Sequence, residues 1–226
     1  MKIGIIVAME KELRLLLHLF EDHSKTIVNK ITFHTGSIGS REVVATQCGI
    51  GKVNAALSTR TLIETFSPAL IINTGVAGGA GNAAGVLDVV VGDRVAYHDV
   101  WCGPDTEWGQ AAGCPLFFEA PEFLTSLPAL NNDPHVRHGL ICSGDIFVST
   151  PEVLDSIRSH FPDVMAVDME SAAVAHTCYL SKVPFISIRV ISDTPGADDN
   201  ISQYENFWND APKRTFKILE NLLAQV

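Results

Sequence analysis

The chain has 226 residues, 46% of them hydrophobic and 19% charged, with 17 Gly and 11 Pro, a composition that suits one soluble α/β domain with a substantial core. A net charge of -10 argues against nucleic-acid or anionic-membrane partners; no apolar run is long enough to cross a bilayer, and the opening MKIGIIVAMEKE turns acidic too early for a secretory signal. Five cysteines, Cys48, Cys102, Cys114, Cys142 and Cys178, are odd in number and form no CxxC pair, so they read as reduced thiols of a cytoplasmic protein.

Residues 2–8 alternate little and are strongly apolar, the pattern of a strand covered on both faces. From Met9 the period changes: Leu13, Leu16, Leu17 and Phe20 make one apolar helical face, with Glu10 and Glu12 in the first turn. Either acid fits as a charge at the positive helix end or as a group facing a ligand, and spacing leaves the two open. Residues 31–37 and 41–48 read as strands joined by a turn at 38–40. CGIGK follows, too short for a Walker loop, and then a helix over Lys52–Phe66.

Residues 69–74 read as a buried strand running into the glycine cluster 75–81, expected as a loop whose bare backbone at Gly75, Ala77, Gly78 and Gly79 can approach a ligand. The cluster lacks the GxGxxG register of a dinucleotide site. Beyond it lie a β-rich stretch from 86 to 101, a loop with Trp101 and Trp108, a short helix at 121–127, a loop at 128–134 and a strand at 138–143. HVRH at His135 and His138 is a poor ligand set, and no metal is expected. Ser149 and Glu152 have capping-box spacing, predicting a helix from about Thr150 to Phe161, with Asp145, Phe147 and Val148 on the loop before it.

Residues 164–167 form another apolar run, stopped by Asp168, Met169 and Glu170 before a helix at 171–180. The last central strand begins near Val183 and ends at Ser192 and Asp193. Ser202 and Glu205, again at capping-box spacing, predict a terminal helix that bends near Pro212 and continues through Phe216, Leu219, Leu222 and Leu223. Three strand ends therefore deliver carboxylates to one rim, where open α/β sheets bind ligands. Acids crowded on a partly apolar rim cannot all ionise, which places an acid beside a base, as cleavage of a glycosidic bond requires.

From MKIGIIVAMEKE through CGIGK, INTGVAGG, YHD, SGDIF and VDMES to RVISD, nearly the whole chain resembles the 5'-methylthioadenosine/S-adenosylhomocysteine nucleosidases of the nucleoside phosphorylase superfamily. The resemblance implies a single domain over residues 1–226, a three-layer α/β/α sandwich around a mixed central sheet, without cofactor or metal. It implies that Glu12 activates the attacking water, that Asp193 protonates adenine at N7, and that Glu170 accepts hydrogen bonds from the ribose hydroxyls while Met169 packs on the sugar. Phe147 is expected to stack on the base and the backbone of Val148 to meet its polar edge. Ala77 and Gly78 are expected to line the pocket, Met9 and Ile50 to border the 5' group, and Ser192 and Arg189 to orient Asp193 or a water.

The same likeness implies a cytoplasmic homodimer acting on a small adenine nucleoside, with the loop after YHD reaching the neighbouring subunit. That loop departs from the family at Val100, Trp101 and Cys102, which bears on the preferred 5' group. Rival readings are another 6-amino nucleoside as substrate (5'-deoxyadenosine or aminofutalosine), a purine nucleoside phosphorylase, and an idle nucleoside-binding protein. Phosphorolysis needs a cationic cradle, and the strand-end loops VAMEKE, NTGVAGG and CSGDIF hold no arginine.

Overall fold

The structure is a computed structural model describing residues 1–80, 84–197, 199–210 and 212–226, without the side chains of 206, 208–210 and 212–216. The expectation for residues 81–83 and the side chain of Phe216 fall outside the described residues.

The core strand β1 (Lys2–Val7) is followed by α1 (Glu10–Leu17), the hairpin β2 (His23–Val28) and β3 (Ile31–Ile38), then β4 (Arg41–Gln47), α2 (Lys52–Phe66) and β5 (Leu70–Gly79). Next come β6 (Val89–Tyr97), the two-residue β7 (Phe118–Glu119), the one-turn helices α3 (Glu122–Thr125) and α4 (Pro128–Asn131), β8 (Val136–Ser143) and α5 (Pro151–His160). The chain ends with β9 (Val164–Asp168), α6 (Ser171–Ser181), β10 (Phe185–Asp193), α7 (Asn200–Asp210) and α8 (Pro212–Leu223). Parallel and antiparallel pairs both occur along the order β10-β6-β8-β9-β5-β1-β4-β3-β2, so the sheet is mixed. Because β10 also pairs with β5, five of these strands close on themselves while β1, β4, β3 and β2 extend outward.

The layers follow from the two-residue period of β1. Ile3, Ile5 and Val7 face one core with Leu13 and Leu16 of α1 and Leu219 and Leu222 of α8. Ile6 faces the other, with Ala55 and Leu62 of α2 and Ala172, Ala173 and Ala175 of α6. A Cβ at Gly4 would lie 2.5 Å from Ile71 and 2.8 Å from Leu62, so glycine is what lets α2 sit this close to the sheet. The result is helix, sheet, helix, the layering expected for this chain.

Several elements differ locally from their sequence reading. β2 has no apolar alternation, and its HSKTIV side chains are largely exposed because it is the sheet's outer strand. The cluster Gly75 to Gly79 is strand rather than loop: β5 runs through it, pairing with β10 on one side and, at Gly78 and Gly79, with β9 on the other. Glycine serves there for close approach, since a Cβ at Gly78 would stand 2.6 Å from Pro195. Residues 128–134 begin with α4, a turn started by Pro128 at its first position. The cap of α5 is Thr150 rather than Ser149, with Pro151 opening the helix. Ser202 lies inside α7, which starts two residues earlier at Asn200; the bend expected near Pro212 falls at residue 211, outside the described residues, between α7 and α8.

Candidate active site

Glu12 is the first carboxylate to be fixed. Its position in the opening turn of α1 lets the side chain fold back onto the end of β1, where Oε2 accepts from the backbone N–H of Ala8 and Met9, both at 2.9 Å. Oε1 accepts from Val76 N–H of β5 at 3.1 Å. Glu10 instead points to solvent and pairs with Arg14 at 2.9 Å, so the ambiguity between the two acids is resolved by direction. Burial pushes the Glu12 carboxyl up, against the opposing pull of the Arg189 charge and the three backbone donors. Gly75 separates Glu12 from Arg189: a Cβ there would lie 2.5 Å from both.

Glu170 occupies the N-cap position of α6 without a side-chain capping bond and is 5% exposed. Its Oε1 accepts from Gly51 N–H at 2.9 Å, which uses the CGIGK turn to hold an acid, and its Oε2 is 3.9 Å from Arg189 Nη2. Burial and then the Asp168 charge raise its pKa to about 7, while Arg189 and Gly51 oppose the rise. Asp168 lies beneath, accepting from the hydroxyls of Ser143 and Ser171 and paired with Arg189 Nε at 2.7 Å.

Arg189, expected to orient Asp193 or a water, is instead turned toward Asp168, with further bonds to Ser171 Oγ at 3.1 Å and to Asn73 Oδ1 at 2.5 Å. A wholly buried guanidinium needs that ring of acceptors, and the strand register of β10 aims it under Glu12 and Glu170. Asp193 sits past a register shift in β10 that brings it opposite Gly78. Its two oxygens accept from Ser192 Oγ and from Asn200 Nδ2 at the start of α7. Burial raises its pKa despite those two donors, so it keeps a proton more readily than an ordinary aspartate.

These groups line one cavity. The twelve residues given a role by the resemblance border it: Glu12, Asp193, Met9, Ile50, Ala77, Gly78, Phe147, Val148, Met169, Glu170, Ser192 and Arg189; Gly75 and Gly79, expected as bare backbone open to a ligand, do not line it. Ile50 and Phe147 are about half exposed at its mouth. Tyr204 of α7 also lines it and had no role in the sequence reading; its hydroxyl donates to Met9 Sδ at 3.2 Å, and its ring stands edge-on to Phe147 at 6.0 Å. Only the return of α7 over the strand ends brings it there.

Three sequence motifs meet in a strut beside the cavity. Lys52 Nζ pairs with Asp99 at 2.8 Å, Asp99 Oδ2 accepts from Asp145 N–H at 2.8 Å, and Asp145 Oδ1 accepts from Lys52 N–H at 2.8 Å. This ties the starts of two loops to α2, next to the Gly51 that holds Glu170. Among the described residues no three His, Cys, Asp or Glu side chains are grouped to hold a metal, and no helix is long and apolar enough to cross a membrane.

The model of the phosphorylase superfamily matches residues 2–224. A 5'-methylthioadenosine/S-adenosylhomocysteine nucleosidase of Lysinibacillus sphaericus is 40% identical over 235 residues, covering the whole of both chains. The crystal structure of S-adenosylhomocysteine nucleosidase from Streptococcus pyogenes in complex with 5-methylthiotubericidin superposes with a TM-score of 0.94 at 39% identity, over 99% of this chain and 96% of that one. A futalosine hydrolase mutant of Helicobacter pylori superposes with a TM-score of 0.91 at 29% identity, over 100% and 99%.

Proposed function

This chain belongs to the phosphorylase superfamily, among its 5'-methylthioadenosine/S-adenosylhomocysteine nucleosidases, and we propose that its buried carboxylates divide between them the hydrolysis of those two nucleosides to adenine and the 5-substituted ribose. Asp193, which burial makes readier to hold a proton than an ordinary aspartate, delivers its proton to N7 of the departing adenine. Glu12 accepts a proton from the attacking water; its bonds to Ala8, Met9 and Val76 fix it before substrate arrives. Glu170 accepts from the ribose hydroxyls, with Met169 against the sugar. As the bond breaks the sugar becomes an oxocarbenium-like cation, which the carboxylates around it stabilise. Phe147 and Val148 take the base, Ala77, Gly78 and Ser192 wall the pocket, and Met9 and Ile50 border the 5' group.

The observation that carries this reading is that Glu12 from the β1 end and Asp193 from the β10 end line a single cavity. The only cation on that cavity's wall, among the described residues, is Arg189, already paired with Asp168 at 2.7 Å, so nothing there cradles a phosphate. Water is therefore the nucleophile. The cavity of about 100 Å³ is smaller than the roughly 300–1,000 Å³ usual for small-molecule sites. A nucleoside enters past Phe147 and Tyr204, which line the cavity edge-on to each other. We place the enzyme in the cytoplasm as a homodimer, with exposed Ile50, Val53, Leu57, Trp101 and Ile146 as apolar surface available to the second copy. A monomer by light scattering would remove the dimer.

Incubation with 5'-methylthioadenosine or S-adenosylhomocysteine in phosphate-free buffer is expected to release adenine. Release only with added phosphate overturns hydrolysis, and no release under either condition overturns the enzyme. The likeness to a futalosine hydrolase makes aminofutalosine the second substrate to assay. A kcat/KM higher on it than on 5'-methylthioadenosine would reassign the substrate and leave the chemistry in place.

A further inference from the structure

We infer that Asp168 is a positioning residue for sugar binding: it holds the Arg189 guanidinium and takes over the capping of α6, which leaves the Glu170 carboxylate free to face the ribose. The inference rests on the reading of Glu170 as the acceptor of the ribose hydroxyls. The two acids stand two residues apart, and their surroundings treat them differently. A carboxylate accepts about four hydrogen bonds, and Asp168 has that many donors already. Ser143 Oγ donates to one oxygen, Ser171 Oγ and Arg189 Nε (2.7 Å) to the other, and Ser171 N–H lies 3.3 Å from both. Although Asp168 borders the cavity, it has no capacity left for a sugar. Glu170 accepts from Gly51 N–H at 2.9 Å, while its Oε2 faces Arg189 Nη2 at 3.9 Å, beyond hydrogen-bond reach.

Capping accounts for part of this division. A side chain at the N-cap position ordinarily accepts from the first free N–H groups of its helix, and Glu170 makes no such bond. Asp168 serves instead, accepting from Ser171 N–H directly and from Ser143 Oγ, which itself accepts from Ala172 N–H at 2.9 Å. Arg189 is steadied further by Asn73 Oδ1 at 2.5 Å and Ser171 Oγ at 3.1 Å. A move of about 1 Å would bring its Nη2 onto Glu170. The ionisable groups facing Glu170 are Asp168, Arg189, Glu12 of α1 and Cys48 past β4; His98 past β6 and Cys142 of β8 face Asp168. Lys52 of α2 is paired with Asp99 at 2.8 Å. Burial lowers the His98 pKa and raises those of both thiols, so all three are neutral near pH 7. Burial and then the Asp168 charge hold Glu170 up to about 7, against the downward pull of Arg189. Removing the Asp168 charge leaves that pull unopposed and should lower Glu170 by about one unit or more.

The test uses the full chain carrying Asp193→Asn, which binds without rapid turnover, and calorimetry with 5'-methylthioadenosine at pH 6 and pH 8. Ionised Glu170 is the binding form, so this parent should bind about tenfold more weakly at pH 6. Adding Asp168→Asn frees Arg189 to pair with Glu170. Affinity at pH 8 should then fall about tenfold, and the difference between the two pH values should shrink to within about twofold. Adding Arg189→Gln as well leaves no unpaired buried cation, so this protein also serves where circular dichroism shows that Asp168→Asn alone does not fold. Its affinity and its tenfold pH dependence should return to those of the parent. A weakened Asp168→Asn protein that keeps the tenfold dependence, or no recovery with Arg189→Gln, would leave Asp168 a structural support only and overturn the inference. A parent that does not bind, or binds equally at both pH values, would overturn the role of Glu170, and the inference with it, before Asp168 is altered.

Discussion

The two ends of the cleft hold their carboxylates by different means. Glu12 is gripped by three backbone N–H groups, two from the exit of β1 and one from β5, positions fixed by the sheet itself. Asp193 is gripped by side chains, one from its neighbour Ser192 and one from Asn200 at the start of α7. The base end is therefore set once the sheet has formed. The acid end is complete only when α7 is seated, and α7 is the element that carries Tyr204 onto the mouth. Closing the cleft and holding the acid thus depend on one helix.

The largest effects should come from removing either proton carrier. Asp193→Asn keeps the shape without an acidic proton and should lower kcat by about 10²- to 10⁴-fold, with substrate affinity in equilibrium dialysis little changed. Glu12→Gln should cost a similar factor, whereas Glu10→Gln, two residues away and exposed beside Arg14, should leave kcat within about twofold. Equal losses at Glu10 and Glu12 would mean that helix charge, rather than the direction of one side chain, is what matters at this end.

That contrast also marks what could be read in advance. The central strands, α2 and the rim of acids were legible because continuous apolar runs and helical periodicity record burial directly, and the motif order carried the family. Glu10 and Glu12 were not separable by spacing, because the choice depends on which carboxylate reaches the N–H of Val76, sixty-four residues away. The glycine run in β5 hid its strand character, because what it records is close approach by Pro195, Arg189 and Glu12 rather than turning. Tyr204 and Asn200 were missed for the same reason: their neighbours are Met9 and Asp193, and no local pattern encodes a helix folding back.

The dependence of the acid end on α7 can be tested through Asn200. Its amide donates to Asp193 and so favours the ionised carboxylate. Asn200→Ala should raise the acid's pKa, moving the alkaline limb of the kcat profile to higher pH, and lower kcat by about ten- to a hundredfold through loss of a charge-assisted bond. A profile that keeps its alkaline limb would detach α7 from the acid.

Between the two ends, Glu170 links binding to pH. Its pKa of about 7 describes a carboxyl raised by burial, and ribose hydroxyls donating to it favour the ionised form. Binding should therefore release a proton near neutrality and weaken as pH falls through 7. With Asp193→Asn, which binds without rapid turnover, calorimetry should give about tenfold weaker affinity for 5'-methylthioadenosine at pH 6 than at pH 8. An affinity constant across that range would take Glu170 off the sugar.

The smallest expected effect is at the mouth. Tyr204→Phe removes a hydrogen bond to Met9 Sδ, a weak acceptor, and keeps the ring against Phe147. If α7 acts at the cleft through Asn200 and through the bulk of that ring, kcat and KM should both stay within about twofold. A loss beyond tenfold in kcat alone would instead make the hydroxyl a donor to the reacting nucleoside. The acid end would then hold two proton-bearing groups, and the single-acid division of labour between β1 and β10 would have to be redrawn.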